Sequence, residues 1–183
     1  MERILQEQYK EITLSELTDK INMECYATLK KLCESAKKQA DKLDNLELQQ
    51  STSQYTTLCA KLIAEIEACL ITRTDIYVPY ILQLSKKAEE QHDCSNCTGN
   101  CKLNHDLQLL QLNASHNNIK NILYRLQMVS LPLYSETIYP DAYRVLRNQM
   151  ALIENGLTEL FFLEGHYLIP RVTEAQNEIN AGS

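Results

Sequence analysis

Apolar residues recur every three or four positions along most of the chain, a spacing that predicts four amphipathic helices. The first helix is expected from about Leu14 to Leu43. It opens with the capping-box spacing of Thr13 and Glu16. Its predicted apolar stripe comprises Leu14, Leu17, Ile21, Cys25, Leu29 and Leu32.

The second predicted helix begins near Ser51 and carries a polar tail to about Gln91. Pro79 lies inside it, and we expect this proline to bend or end the helix locally, because proline lacks a backbone N–H. Its predicted interior stripe comprises Tyr55, Leu58, Leu62, Ile66, Cys69, Arg73, Ile76 and Tyr80.

The third helix is predicted to start at Cys101 or Lys102 and to break after Ser130. The fourth is predicted to begin at Pro140 and to have Pro170 near its end. The third stripe comprises His105, Leu109, Leu112, His116, Ile119, Leu123 and Leu126. The fourth comprises Leu146, Met150, Ile153, Leu157, Leu160, Glu164 and Leu168.

Four such helices predict an all-α fold, an antiparallel up-down four-helix bundle with a cysteine-rich loop between the second and third helices. The 183 residues suit one domain, with a core over about 14–172. The composition agrees, since glycine and proline number four each and tryptophan is absent.

Charge and hydropathy exclude several classes of function. The formal net charge is −6 and the basic residues are scattered, so we expect no nucleic-acid partner. No apolar run approaches the roughly 18 residues of a membrane span, and no apolar signal region opens the chain. We therefore expect a cytoplasmic protein, a monomer or a homodimer with an unknown protein partner. Its seven cysteines are not expected to form a full disulfide framework.

Three cysteines and a histidine lie within twelve residues, and we call Cys94 to His105 the cysteine segment. Cys94 and Cys97 have CxxC spacing, while Cys101 and His105 share a helix face. Three thiols and one imidazole can form a tetrahedral zinc site, and an iron–sulfur cluster is also compatible with them. Two alternatives stay open, namely disulfide or redox switching and cysteines that bind no metal.

A weak internal repeat links the second and fourth helices. A proline follows the first residue by ten positions in both Cys69–Pro79 and Leu160–Pro170. Each segment has a second interior site four residues after its first, at Arg73 and at Glu164. Because residues four apart share a helix face, both sites are predicted to point into the bundle at one level.

Five short motifs resemble the hemerythrin-like family, most closely its di-iron proteins for iron–sulfur cluster repair. LEGHYLIPR at 163–171 is similar to the family's helix-four motif, and NHD at 104–106 is similar to the motif that opens helix three. The segment 134–144 resembles the loop into helix four. INMECY at 21–26 and IYVPYI at 76–81 fall where helices one and two carry their motifs.

The resemblance implies two iron ions held by a histidine from each helix and by glutamates on helices two and four. The corresponding positions here hold Cys25, Cys69, Arg73, His105, Leu160 and Glu164. Only His105 and Glu164 keep the family's residue type. Leucine cannot ligate a metal and arginine is a permanent cation, so we do not expect the family's di-iron centre.

Several interpretations of this interior position remain open. A buried Glu164 needs a countercharge, and we predict an ion pair with Arg73. Cys25 and Cys69 are expected to be packing residues, or to join His105 and Glu164 in a site for one zinc or iron ion, or to form a redox pair. Cys33 and Cys59 match no ligand position and are predicted to pack in the core.

Two further histidines have structural interpretations. His116 follows His105 by eleven residues, roughly 16 Å along a helix, which is too far for a shared ion. We therefore predict a hydrogen-bonded core or boundary histidine at His116. His166 is predicted to lie at the surface or boundary, with an outer-shell role beside Glu164 as the alternative.

Three classes of function follow. The first is a divergent hemerythrin-like metal protein, in which metal or redox chemistry has shifted to cysteines and which the resemblance links to iron–sulfur or nitrosative stress. The second is a cysteine-based sensor or structural metal protein. The third is a metal-free bundle that acts as an interaction or structural module. Ordinary acid–base enzyme chemistry is not expected, since no nucleophile–base pair or carboxylate dyad is evident.

Overall fold

The computed structural model describes residue 9 and residues 11–44, 50–90, 105–130 and 141–181, with side chains omitted at 44, 50–51, 105–111, 113 and 180–181. Within these ranges the chain forms four long helices and no strand. None of the described helices combines the length and apolar character needed to cross a bilayer.

The first helix consists of α1 (Leu14–Lys20), a π-helical segment (Ile21–Tyr26) and α2 (Ala27–Asp44). Its start is the predicted capping box. The Glu16 N–H donates to the Thr13 hydroxyl at 3.2 Å, and the Thr13 N–H donates to the Glu16 carboxylate at 2.7 Å. Both boundaries agree with the expected helix.

The second helix consists of α3 (Gln50–Thr72), a π-helical segment (Arg73–Tyr77) and α4 (Val78–Glu89). It passes through Pro79, the second residue of α4.

The third helix is α5 (His105–Ser130), and its end at Ser130 is as predicted. The fourth consists of α6 (Asp141–Leu163), a π-helical segment (Glu164–Leu168) and α7 (Ile169–Ala181). The expected end near Pro170 was wrong, because the helix continues to Ala181. The predicted starts at Cys101 or Lys102 and at Pro140 lie outside the described residues.

The π-helical segments explain why the helices continue through the two prolines and why the predicted stripes shift. Proline cannot donate to the carbonyl four residues earlier and its ring clashes with it. The N–H groups of Val78 and Ile169, each just before a proline, instead bond the carbonyls of Arg73 and Glu164 five residues back.

The wider turn also rotates the side chains that follow it. Tyr77 is buried and Ile76 is 49% exposed, which corrects the predicted stripe of the second helix. Likewise Tyr26 is buried on the first helix, while Cys25 is half-buried. In these two π-helical segments, a strict period of 3.6 residues therefore predicts the wrong residue to be buried.

One apolar core runs between the helices. The α2 segment packs against α3 and α6, α3 packs against α5, and α4 packs against α1 and α7. Gly156 lets α6 approach α2 closely, since a Cβ there would lie 3.0 Å from Leu29 Cδ2. The fully buried side chains of this core include Leu17, Ile21, Leu29, Leu62, Ile66, Ile119, Leu146 and Ile153.

Candidate functional site

An ion pair between Arg73 and Glu164 lies in the middle of the bundle. Arg73 Nε is 2.7 Å from Glu164 Oε1, and Nη2 is 2.9 Å from Oε2. The two side chains are 1% and 0% exposed. The predicted ion pair is confirmed, and its two-pronged geometry is the strong form of an arginine–carboxylate contact.

The charge state of Glu164 follows from its neighbours. Burial alone would raise the pKa of this carboxyl, but the charge of Arg73 and the hydrogen bonds from His116 and Arg73 outweigh it and lower the pKa to about 2. Burial acts in the opposite direction on Arg73, and Glu164 nevertheless raises the arginine pKa above its ordinary value. Both groups are therefore charged at neutral pH.

Two more side chains form hydrogen bonds with the Glu164 carboxylate. The Tyr26 hydroxyl donates to Glu164 Oε1 at 2.7 Å, and His116 Nε2 lies 2.5 Å from Oε2. An ionised carboxylate only accepts, so His116 carries its proton on Nε2. Burial and Glu164 raise the pKa of Tyr26 well above its ordinary value, which keeps the hydroxyl protonated. Tyr26, Arg73, His116 and Glu164 are hereafter the buried cluster.

The burial of His116 and its bond to Glu164 confirm the prediction of a hydrogen-bonded core or boundary histidine. Its membership of the cluster was not predicted. His105 begins the same helix eleven residues earlier, roughly 16 Å away along the axis. The histidine of α5 that reaches the level of Glu164 is therefore His116. A signal was present in the sequence, since a buried carboxylate needs several donors and His116 lies on the interior stripe.

The remaining nitrogen of Arg73 faces Cys69 and Ser115. Arg73 Nη1 donates to the Cys69 carbonyl at 3.3 Å, contacts Cys69 Sγ, and lies 3.5 Å from Ser115 Oγ. The Cys69 thiol donates to Ser115 Oγ at 3.4 Å. Burial raises the pKa of this thiol above its ordinary value, and Glu164 and Glu65 act in the same direction; Arg73 and Ser115 act to lower the pKa but do not cancel the rise. These side chains line a cavity of about 230 Å³ that also includes Tyr77.

Cys25 lies in a different environment. Burial raises the pKa of its thiol to about 12, and the nearby carboxylates of Glu159, Glu24 and Glu164 add to the effect. Cys25 and Cys69 are both free thiols in the structure. Tyr26, the next residue after Cys25, makes the contact with Glu164.

The predicted metal set of Cys25, Cys69, His105 and Glu164 is not assembled among the described side chains. In that part of the chain no three His, Cys, Asp or Glu side chains lie close enough to share a metal ion. The His105 side chain lies outside the described residues, as do Cys94, Cys97 and Cys101. Metal binding by the cysteine segment thus stays a prediction.

The residues of the buried cluster do not fit the family's di-iron centre. A permanent cation lies within 3 Å of both oxygens of Glu164. Each of those oxygens also accepts a second hydrogen bond, so the lone pairs that would face a metal are in use. Leu160, at another family ligand position, is buried hydrocarbon.

Three other predictions for single residues are confirmed, those for Cys33, Cys59 and His166. Cys33 and Cys59 are fully buried in the apolar core, as expected for packing residues, and burial raises the pKa of each thiol to about 12. His166 is exposed and lies against Phe162, with 4.6 Å between ring centroids.

Comparison with known proteins adds no relative. No family model, no curated protein and no solved structure matches the chain.

Proposed function

We propose that this chain is a divergent hemerythrin-like, antiparallel four-helix bundle in which an ion-pair network replaces the di-iron centre, and that it binds zinc or iron through the cysteine segment. The single observation that carries the proposal is the two-pronged contact of Arg73 with Glu164. It places a fixed positive charge where the resemblance implies a metal.

Helix packing supports the antiparallel part of the proposal. The first part of helix one, α1, packs against the last part of helix two, α4. The last part of helix one, α2, packs against the first part of helix two, α3. When the first part of one helix packs against the last part of the other, and the reverse, the two helices run in opposite directions.

The repeat between the second and fourth helices supports the relation to the family. Arg73 and Glu164 each begin a π-helical segment before a proline, and their side chains meet. The resemblance places a glutamate ligand at both positions. Replacing one glutamate by arginine turns a pair of like charges that requires a metal into a pair of opposite charges that does not.

Metal binding by the cysteine segment rests on its residue types and spacing. Cys94, Cys97, Cys101 and His105 provide three thiols and one imidazole, the set found in structural zinc sites. Because the buried cluster offers no place for a metal, a bound metal is expected at this segment. The resemblance alone supports a role in iron–sulfur or nitrosative stress.

Metal analysis of protein purified without oxygen tests the proposal. We expect about one metal per chain, lost in Cys97→Ser and kept in the matched control Cys25→Ser. An absorbance band at roughly 400 nm would identify an iron–sulfur cluster rather than zinc. Two irons per chain that survive Cys97→Ser would contradict the replacement of the interior centre.

A second candidate, a metal-free interaction module, is favoured by one surface feature. A groove of about 360 Å³ lies between the first and second helices, and Ile71 at its edge is 60% exposed. The groove is lined by apolar and polar residues, namely Tyr26, Ala27, Leu70, Ile71, Asn22, Lys30, Glu34, Glu67 and Thr74. Protein without metal that dimerises, and whose dimer is lost in Ile71→Glu but kept in Leu152→Glu, would support it. Leu152 is a suitable control because it is also exposed, at 54%.

A further inference from the structure

Cys69 combines three features that the buried cluster does not use. Its thiol is half-buried, it lines an open cavity, and it lies beside both a guanidinium nitrogen and a hydroxyl. The carboxylate takes two of the three guanidinium nitrogens of Arg73, Nε and Nη2, while Nη1 faces the thiol. A positive guanidinium edge therefore borders a cavity that Cys69 lines, and Glu65 also lines this cavity.

We infer that Cys69 is a site of reversible oxidation by a hydroperoxide, and that Arg73 and Ser115 hold the resulting sulfenic acid. This inference is independent of the cysteine segment and of the proposed function. It assigns the cavity beside Cys69 a small peroxide as its ligand.

The step balances as a two-electron transfer. The deprotonated sulfur of Cys69 attacks the terminal oxygen of the peroxide, an S–O bond forms and the O–O bond breaks. The leaving hydroxide or alkoxide takes up the proton that the thiol released, giving water or an alcohol. Sulfur is oxidised and the peroxide is reduced, with no further reactant.

The surroundings of Cys69 suit each stage. The cavity of about 230 Å³ has room for a peroxide. Arg73 Nη1 stabilises negative charge first on sulfur and then on the sulfenate oxygen, and Ser115 Oγ, 3.4 Å from Sγ, offers a second polar contact. Ser115 in turn donates to the Leu112 carbonyl at 2.8 Å, which fixes its orientation.

Cys25 provides an internal comparison. It is also half-buried, but its charged neighbours are the carboxylates of Glu24, Glu159 and Glu164. Negative neighbours oppose both a thiolate and a sulfenate. Cys69 also has carboxylates nearby, Glu164 and Glu65, but there Arg73 and Ser115 act against them, and Cys25 has no such counterpart. Cys33 and Cys59 are fully buried and have no access to a peroxide. Among the cysteines that the structure describes, oxidation should therefore select Cys69.

Trapping of the sulfenic acid tests the inference. The full chain with Cys94, Cys97 and Cys101 replaced by serine is treated with hydrogen peroxide and a cyclic 1,3-dione, and labelled peptides are measured by mass spectrometry. We expect the adduct on Cys69 at several times the yield on Cys25, with its rate rising between about pH 6 and about pH 9 as more thiolate forms. A low-molecular-weight thiol added before the dione should abolish the adduct.

Two variants sharpen the test. Ser115→Ala should lower the adduct yield at Cys69 several-fold, and Cys25→Ser should leave it unchanged. Thermal unfolding of each variant verifies that it is folded. Equal labelling of Cys25 and Cys69, or no adduct at Cys69 under conditions that label a free cysteine peptide in the same tube, would overturn the inference.

Discussion

Arg73 and Glu164 occupy equivalent positions in their two helices. Each is the first residue of a π-helical segment, and each precedes a proline by six residues. Their side chains meet with 2.7 Å between Nε and Oε1. The pair thus joins two copies of one local backbone geometry, and this geometry holds both charged groups inside the core.

Removal of Arg73 should be much more costly than loss of a surface arginine. Arg73→Leu leaves the Glu164 carboxylate buried without its cation, and we expect a loss of about 3–5 kcal/mol in the free energy of unfolding. Urea denaturation followed by circular dichroism measures it. Arg144→Ala is the matched control, because Arg144 and its partner Asp141 are 68% and 85% exposed, and it should cost less than about 1 kcal/mol.

The double variant Arg73→Leu, Glu164→Leu separates the ion pair from simple packing. With both charges gone no uncompensated carboxylate remains, so the loss of stability should be smaller than in Arg73→Leu alone. A double variant no more stable than the single one would show that the unpaired carboxylate is not the main source of the loss.

Stability should fall in acid because of Glu164. The pKa of this carboxyl is about 2 in the folded protein and 4.5 as its ordinary value, so the folded state favours the ionised form. The resulting stabilisation, roughly 3 kcal/mol, is complete above about pH 4.5 and is lost as the pH falls toward about 2. Urea denaturation at a series of pH values measures the slope, and Glu164→Gln should flatten it within this window.

His116 and His166 should respond differently to the same substitution. His116→Ala removes a buried donor to Glu164 and leaves a void, so we expect a loss of about 2–4 kcal/mol. The exposed His166→Ala should change stability by less than about 0.5 kcal/mol. Nitrogen NMR of the imidazole rings gives a second check, because His116 should carry its proton on Nε2.

The two glycines of the fourth helix should also differ. A Cβ at Gly165 would have no neighbour within 4 Å, so Gly165→Ala should stabilise the fold by about 0.5–1 kcal/mol through the loss of backbone freedom in the unfolded chain. At Gly156 the added methyl would lie 3.0 Å from Leu29 Cδ2, and crowding should cancel or reverse that gain. Thermal unfolding of the two variants compares them directly.

Features encoded by local spacing were predictable from the sequence. The capping box at Thr13 depends on residues three apart, and the interior level of Arg73 and Glu164 depends on positions within one repeat. These predictions agree with the structure because backbone hydrogen bonds within one helix determine the spacing of its side chains. The ion pair then followed from the high cost of an unpaired buried charge.

Tyr26 and His116 were not predicted as members of the buried cluster, because their positions depend on features that no local sequence pattern contains. Tyr26 replaces Cys25 at the carboxylate because a π-helical turn holds one residue more than an α-helical turn, and the first helix has no proline in that segment to signal it. His116 reaches Glu164 because of how far α5 is shifted along its axis. That shift depends on packing between helices, which the spacing of residues within one helix does not encode.

Each of the four helices contributes one side chain to the buried cluster, at positions 26, 73, 116 and 164. Moving any one helix by a single turn, about 5.4 Å, would separate its contact from Glu164 and leave a buried polar group unpaired. Apolar packing tolerates such sliding far better than this four-way junction does. The cluster therefore favours one register of the four helices over packings in which a helix is shifted along its axis. Because all four helices must be in place to complete it, the cluster makes their docking cooperative.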